Sequence, residues 1–186
     1  MNIISFIQCI LREVKGEIGV KNIIMVGMPG SGKSTVGVIL AKSLGFDFID
    51  TDLVICKRES KKLQEIIDNQ GLDKFLEIEQ QVGKEICPVN SVVATGGSMI
   101  LSSEAMNNLR NNGIVVYIEV PLNVLKKRIT NIKTRGIAFK KGETLEDIFK
   151  VRTPLYEKYA DITITADENT VPEDCVNQIV QKLNNL

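Results

Sequence analysis

The stretch Gly27-Met28-Pro29-Gly30-Ser31-Gly32-Lys33-Ser34 lies between a short apolar run, Ile23, Ile24, Met25 and Val26, and a helical pattern carried by Val36, Ile39, Leu40, Ala41 and Leu44. Strand, glycine loop and helix in that order make a P-loop, and the order constrains the fold more than any other feature of the chain. Glycines let the backbone wrap so that its N–H groups point inward, while the following helix offers the positive end of its dipole. Fixed donors then meet phosphate oxygens, which implies a nucleoside triphosphate ligand. Gly30, Ser31, Gly32, Lys33, Ser34 and Thr35 are the expected nucleotide-binding residues, with Lys33 reaching the β- and γ-phosphates and Ser34 ligating Mg²⁺. The alternative is a glycine turn that merely joins a strand to a helix, for which the complete G-x-x-x-x-G-K-S string is unneeded.

At 186 residues, the chain has the length of one domain with a sizeable core. Its 23 basic and 23 acidic residues cancel, so no global field attracts nucleic acid or an anionic membrane, and a small-molecule partner is favoured. Cys9, Cys56, Cys87 and Cys175 are scattered without a C-x-x-C pair, which fits free thiols in a cytoplasmic protein better than disulfides or zinc ligands. There is no histidine, so a catalytic base must be a carboxylate, lysine, tyrosine or cysteine. Residues 1–20 place Ile3, Ile4, Phe6, Ile7, Ile10, Leu11 and Val14 at helix-like spacing. Without a basic leader or a small-residue cleavage pattern, they read as a helical extension that packs on the domain or on a second copy of the chain in a homo-oligomer.

Beyond residue 21, apolar runs alternate with helical patterns. The strands are read near Asn22–Val26, Phe46–Asp50, Ser91–Ala94, Ile114–Ile118 and Ile162–Thr165. Helices are read over Lys33–Leu44, from Leu53 to about Ile86, and over Ser103–Asn111, Leu122–Ile129, Thr144–Tyr159 and Pro172–Leu183. Repeated β-α-β units imply a parallel sheet covered by helices on both faces, in a single domain from 21 to 186. Ligands on such sheets sit at the carboxyl ends of the strands. The segment 131–142 holds two glycines and four basic residues with little periodicity, the pattern of a basic loop able to serve as a lid. The turn from Ala166 to Pro172 is a candidate border for the base.

Three further sites carry chemistry. Asp50-Thr51-Asp52 ends the second strand, and an extended backbone there would turn both carboxylates to one side. One would hold Mg²⁺ while the other accepts a proton from an attacking hydroxyl; the alternative is that one only caps the next helix. Thr95-Gly96-Gly97-Ser98 ends the third strand, and paired glycines allow a ligand close to the backbone. Arg152 offers a guanidinium for bidentate binding of a carboxylate or phosphate, although a surface ion pair is the usual fate of a helical arginine.

Taken in order, the P-loop, Asp50-Thr51-Asp52, Thr95-Gly96-Gly97, Arg128, Arg135 and Arg152-Thr153-Pro154-Leu155-Tyr156 resemble the shikimate kinases, from about Asn22 to Leu186. The resemblance implies a three-layer α/β/α fold of the nucleoside-monophosphate-kinase type, with a five-stranded parallel sheet and a lid. It also implies transfer of the γ-phosphoryl group of ATP to a ring hydroxyl of shikimate. By matching motif, Lys33 and Ser34 hold phosphate and Mg²⁺, Asp50 helps bind the metal, and Asp52 meets the substrate hydroxyl as base. Gly96 and Gly97 border the substrate, Arg152 binds its carboxylate, Arg135 closes onto the phosphates and Arg128 lies nearer the adenine.

Three positions depart from the family pattern. Where the family has Phe-Arg-x-x-Glu, with that arginine on the substrate carboxylate, this chain has Phe75-Leu76-Glu77-Ile78-Glu79. Losing a charge-assisted hydrogen bond weakens binding by roughly 1.5 to 3 kcal/mol unless Arg58 or Lys61 substitutes. Ser98 replaces the third glycine of Gly-Gly-Gly, and Arg135 precedes Gly136-Ile137 where the family has Pro-Leu. Leu76 keeps two alternatives open: a kinase for a less anionic hydroxylated metabolite, and a nucleotide-binding regulatory module without turnover.

Overall fold

The computed structural model describes residues 22–111, 113–129, 137–140 and 142–186. Strands β1 (Asn22–Val26), β2 (Asp47–Asp50), β3 (Ser91–Ala94), β4 (Ile114–Glu119) and β5 (Ile162–Thr165) form one sheet in the order β2-β3-β1-β4-β5. Every pairing is parallel, as the β-α-β alternation requires. The central strand β1 is buried along its whole length, which is why it reads as a continuous apolar run rather than an alternating one. From β1 the chain moves outward to β2 and β3 on one side and later to β4 and β5 on the other. The carboxyl end of β1 is therefore the switch point at which such sheets bind ligands.

Helices α1 (Lys33–Leu44), α2 (Thr51–Glu59), α3 (Leu63–Gln70), α4 (Leu72–Glu85), α5 (Ser103–Arg110), α6 (Leu122–Arg128), α7 (Leu145–Tyr159) and α8 (Pro172–Leu183) flank the sheet, with a 3₁₀ turn at Met99–Leu101. Gly45 ends α1 in the left-handed region, at φ 63°, and its N–H reaches back to the carbonyls of Ala41 and Lys42. Thr144 caps α7 by accepting from the Asp147 N–H while Asp147 reaches back to the Thr144 N–H, so Thr144 is a cap rather than the first helical residue. The helical stretch from Leu53 to about Ile86 is three helices. Ser60 and Gly71, at φ 53° and 87°, break the backbone hydrogen-bond ladder where apolar periodicity alone carries on.

Two apolar clusters result. The larger packs α1, α5, α7 and α8 against the sheet. A smaller one joins α2, α3 and α4 through Ile55, Leu63, Ile66, Phe75, Ile78 and Val82, with Ala138 from the opposite side of the cavity. Leu76 is half-buried against this second cluster, so its side chain is absorbed by packing. The proposed N-terminal extension, most of the lid segment and Arg135 lie outside the described residues. Among the described residues no helix is long and apolar enough to cross a membrane.

Candidate active site

The carboxyl ends of β1, β2 and β3 open into a cavity of about 530 Å³. Gly30, Ser31, Gly32, Lys33, Ser34 and Thr35 all line it, together with Asp52, Gly96, Gly97, Arg128 and Arg152. Gly30 and Gly32 sit at φ 79° and 99°, a region that side-chain-bearing residues avoid, and the loop so formed leads directly into α1. Lys33 is buried and curls back to donate Nζ to the carbonyls of Gly27, at 2.8 Å, and Met28, at 3.0 Å. Burial lowers its pKa to about 8, against the raising influence of Asp52 and Asp50. A cation held in the loop by carbonyls alone is poised to exchange them for phosphate oxygens.

The helix cap weighed as the alternative for the carboxylate pair is present at Asp50, and the same residue meets Ser34. Asp50 caps α2 by accepting from the Asp52 N–H through Oδ1 at 3.0 Å, a contact of about 1 kcal/mol in typical helices. Its other oxygen, Oδ2, accepts from the Ser34 hydroxyl at 2.6 Å, which brings the two expected metal ligands together. The expectation of an extended backbone through Asp52 is corrected: the cap starts the helix at Thr51, and Asp52 enters the cavity from the first turn of α2. Burial pushes the Asp52 carboxyl up to about 6, with Asp50 adding to the rise and Lys33 opposing it. It is ionised at neutral pH and close to a matched general base.

The paired glycines answer to close approach by the protein itself. A Cβ on Gly96 would overlap Glu79 Oε1 and come within 2.7 Å of Asp52 Oδ1, and one on Gly97 would meet Pro29 of the P-loop at 2.8 Å. The Gly96 N–H donates to Thr51 Oγ1 at 2.9 Å, tying the β3 turn to the carboxylate turn. Tyr156 donates its hydroxyl to the Gly97 carbonyl at 2.7 Å and stacks on Tyr117, ring centroids 5.2 Å apart. One turn before it on α7, Arg152 is only 4% exposed and donates Nη2 to the Ala138 carbonyl at 2.9 Å. It is therefore not the surface arginine of the alternative reading. Arg128 donates to the Asp167 carbonyl at 2.7 Å, at the end of the cavity bordered by Ala166, Thr170 and Pro172, so the expected base-side residues do meet.

Glu79, which closes the string Phe75-Leu76-Glu77-Ile78-Glu79, is a cavity residue to which the motif reading gave no role. It is 2% exposed, lines the cavity and leaves Oε1 without a hydrogen-bond partner, while the Ser98 hydroxyl bonds the same carboxyl. Burial pushes it up to about 7, with Asp52 adding to the rise and Ser98, Arg152 and Lys33 opposing it. The available signal was its match to the Glu of Phe-Arg-x-x-Glu, four residues after Phe75 on the inward face of a helix where a carboxylate needs a reason to be. Neither substitute considered for the arginine expected on the family pattern reaches the cavity. Arg58 pairs with Glu85 at 2.6 Å on the outer surface, and Lys61 is exposed; neither lines the cavity.

Comparison with known proteins agrees with this geometry. The family model described as shikimate kinase matches residues 29–184. The chain is 39% identical over 170 residues to the shikimate kinase of Haemophilus influenzae strain PittEE, covering 89% of this chain and 94% of that protein. It is 36% identical over 169 residues to the shikimate kinase of Nostoc punctiforme, covering 89% and 92%. The solved structure of shikimate kinase from Acinetobacter baumannii in complex with shikimate superposes with a TM-score of 0.82 at 31% identity, covering 91% of this chain and 96% of that one.

Proposed function

The chain belongs to the shikimate kinase family, ATP-dependent phosphotransferases acting on shikimate, and from that premise we propose how its own residues divide the work. Backbone N–H groups of the P-loop and the Lys33 ammonium hold the β- and γ-phosphates and offset charge that spreads over them in the transition state. The Ser34 hydroxyl and the Asp50 carboxylate, 2.6 Å apart, make a hard oxygen pair that suits Mg²⁺, and these two residues would hold it. When bound, the ion supplies charge neutralisation and orients the phosphates. Asp52 orients the substrate ring hydroxyl and accepts its proton, a task for which a carboxyl at about 6 is ionised near neutrality.

Arg152 binds the substrate carboxylate from the buried face of α7, with Gly96 and Gly97 forming the adjoining wall. Arg135, in the basic segment, is assigned to closure over the phosphates and Arg128 to the adenine side. The observation that carries the reading is the convergence of Lys33, Asp52 and Arg152, from three different elements, on one cavity. Its test is phosphorus NMR of the protein with ATP, Mg²⁺ and shikimate. A phosphate monoester signal that disappears on chelation of the metal supports the assignment; release of inorganic phosphate without ester overturns it.

Leu76 favours a second reading, a hydroxylated substrate of lower charge, because its side chain joins the apolar cluster and no other cation replaces the missing one among the described residues. Parallel reactions with neutral polyols separate the two. Unbridged Cys56, Cys87 and Cys175 accord with a cytoplasmic setting, and residues 1–20 are the proposed contact between copies, read from the mass of full-length against truncated chain in solution.

A further inference from the structure

The two departures at Leu76 and Ser98 converge on one side chain. An arginine at 76 would stand one helical turn before Glu79 on α4, within ion-pair range of its carboxylate. Leucine removes that cation. Ser98, in the position of a glycine, supplies a hydroxyl that bonds the Glu79 carboxyl instead. Oε1 is buried without a partner against the Gly96 backbone, and the residue, 2% exposed, lines the cavity that Arg152 also lines. Buried polar atoms without partners are rare, and one in a binding cavity marks a place for a ligand group.

We propose that Glu79 is a specificity-determining residue in which the carboxyl O–H, held by Ser98, donates to the substrate carboxylate beside Arg152 and so does the work of a second guanidinium. The inference rests on the assignment of shikimate as substrate and deepens it. A neutral carboxyl is a donor where a carboxylate is only an acceptor, and an ionised Glu79 would repel the incoming anion. The groups facing Glu79 are Asp52 on α2, Lys33 on α1, Arg152 and Tyr156 on α7, and Ser98 after β3. Their effects, dominated by burial, leave the free group half-protonated at about pH 7. Binding is then proton-coupled: Glu79 carboxylate, substrate carboxylate and one proton from solvent combine into a single carboxyl–carboxylate hydrogen bond.

The test is the KM for shikimate of the full-length enzyme between pH 6.5 and 8.5, with saturating ATP and Mg²⁺. A carboxyl at about 7 that must be protonated to bind predicts a KM about twentyfold higher at the alkaline end. Isothermal titration of shikimate into wild type, in two buffers of different ionisation enthalpy at pH 8, reads uptake of close to one proton. Glu79→Gln, whose amide donates at every pH, loses the slope. Ser98→Gly removes a contact that favours the ionised form and moves the break in the profile upward; this variant decides if Glu79→Gln does not fold. Shikimate turned over with a flat KM and no proton uptake overturns the inference and leaves the substrate assignment standing. Absence of shikimate phosphorylation across the whole range overturns the assignment itself.

Discussion

Replacing Glu79 by glutamine measures what its burial costs the fold, with a sign that depends on pH. The unfolded carboxyl titrates near 4.5 and the folded one at about 7, so between these values the folded state carries the extra proton. Stability linked to Glu79 is fully present below 4.5 and is lost as pH rises through 7. At about 1.36 kcal/mol per unit, the whole loss is about 3.4 kcal/mol, of which about 2.5 kcal/mol falls between pH 5 and pH 8. Glutamine does not titrate, and the difference between variant and wild type cancels titrations common to both. Urea unfolding at the two pH values should find the variant gaining on wild type by about 2.5 kcal/mol from pH 5 to pH 8. With a urea slope of about 2 kcal/mol per molar, the gap between midpoints changes by about 1 M. A gap constant to within about 0.5 kcal/mol would refute the argument, because it would mean that Glu79 does not resist ionisation in the folded state.

Gly96→Ala places a methyl where Glu79 and Asp52 already approach, so both carboxylates must move. It is expected to cost about 1 to 3 kcal/mol in thermal unfolding and to lower kcat as well as kcat/KM. Leu76→Arg places a cation one turn from Glu79; steady-state kinetics should show KM for shikimate falling about ten- to a hundredfold, with its pH dependence flattened. Arg152→Lys keeps the charge but loses the planar fork and the hydrogen bond to Ala138, and KM for shikimate should rise about tenfold with little change in KM for ATP.

The sheet was legible because central parallel strands buried on both faces, such as β1 and β3, announce themselves as short apolar runs between helical patterns, and the bounds read for β1, β3 and β5 match residue for residue. The breaks between α2, α3 and α4 were not legible. Ser60 enters the left-handed region without being glycine, and Gly71 serves at once as the end of one helix and the start of the next. The 3₁₀ turn at Met99–Leu101 is three residues long, too short for any periodicity to register. In the site, the P-loop, Asp50, Asp52 and Arg152 could be found because phosphate and carboxylate chemistry fixes residue types at set spacings. Asp50 proved to be both cap and partner of Ser34, a combination open to a carboxylate with two oxygens but indistinguishable in sequence from either role alone. Glu79 was visible as the last residue of the Phe-Arg-x-x-Glu string, but no role could be read for it, because its neighbours, Gly96 and Ser98 after β3 and Arg152 on α7, are distant in sequence.

The most direct measurement of the central claim is kcat for shikimate phosphorylation by the purified full-length chain with ATP and Mg²⁺, wild type against Asp52→Asn. The asparagine keeps the shape and removes the proposed proton acceptor, which enters the cavity from the first turn of α2. Wild type should phosphorylate shikimate in clear preference to unrelated polyols, with kcat falling about a hundredfold or more in the variant. Equal rates in the two proteins, or no preference for shikimate, would contradict the claim that this cavity is built for phosphoryl transfer to that acceptor.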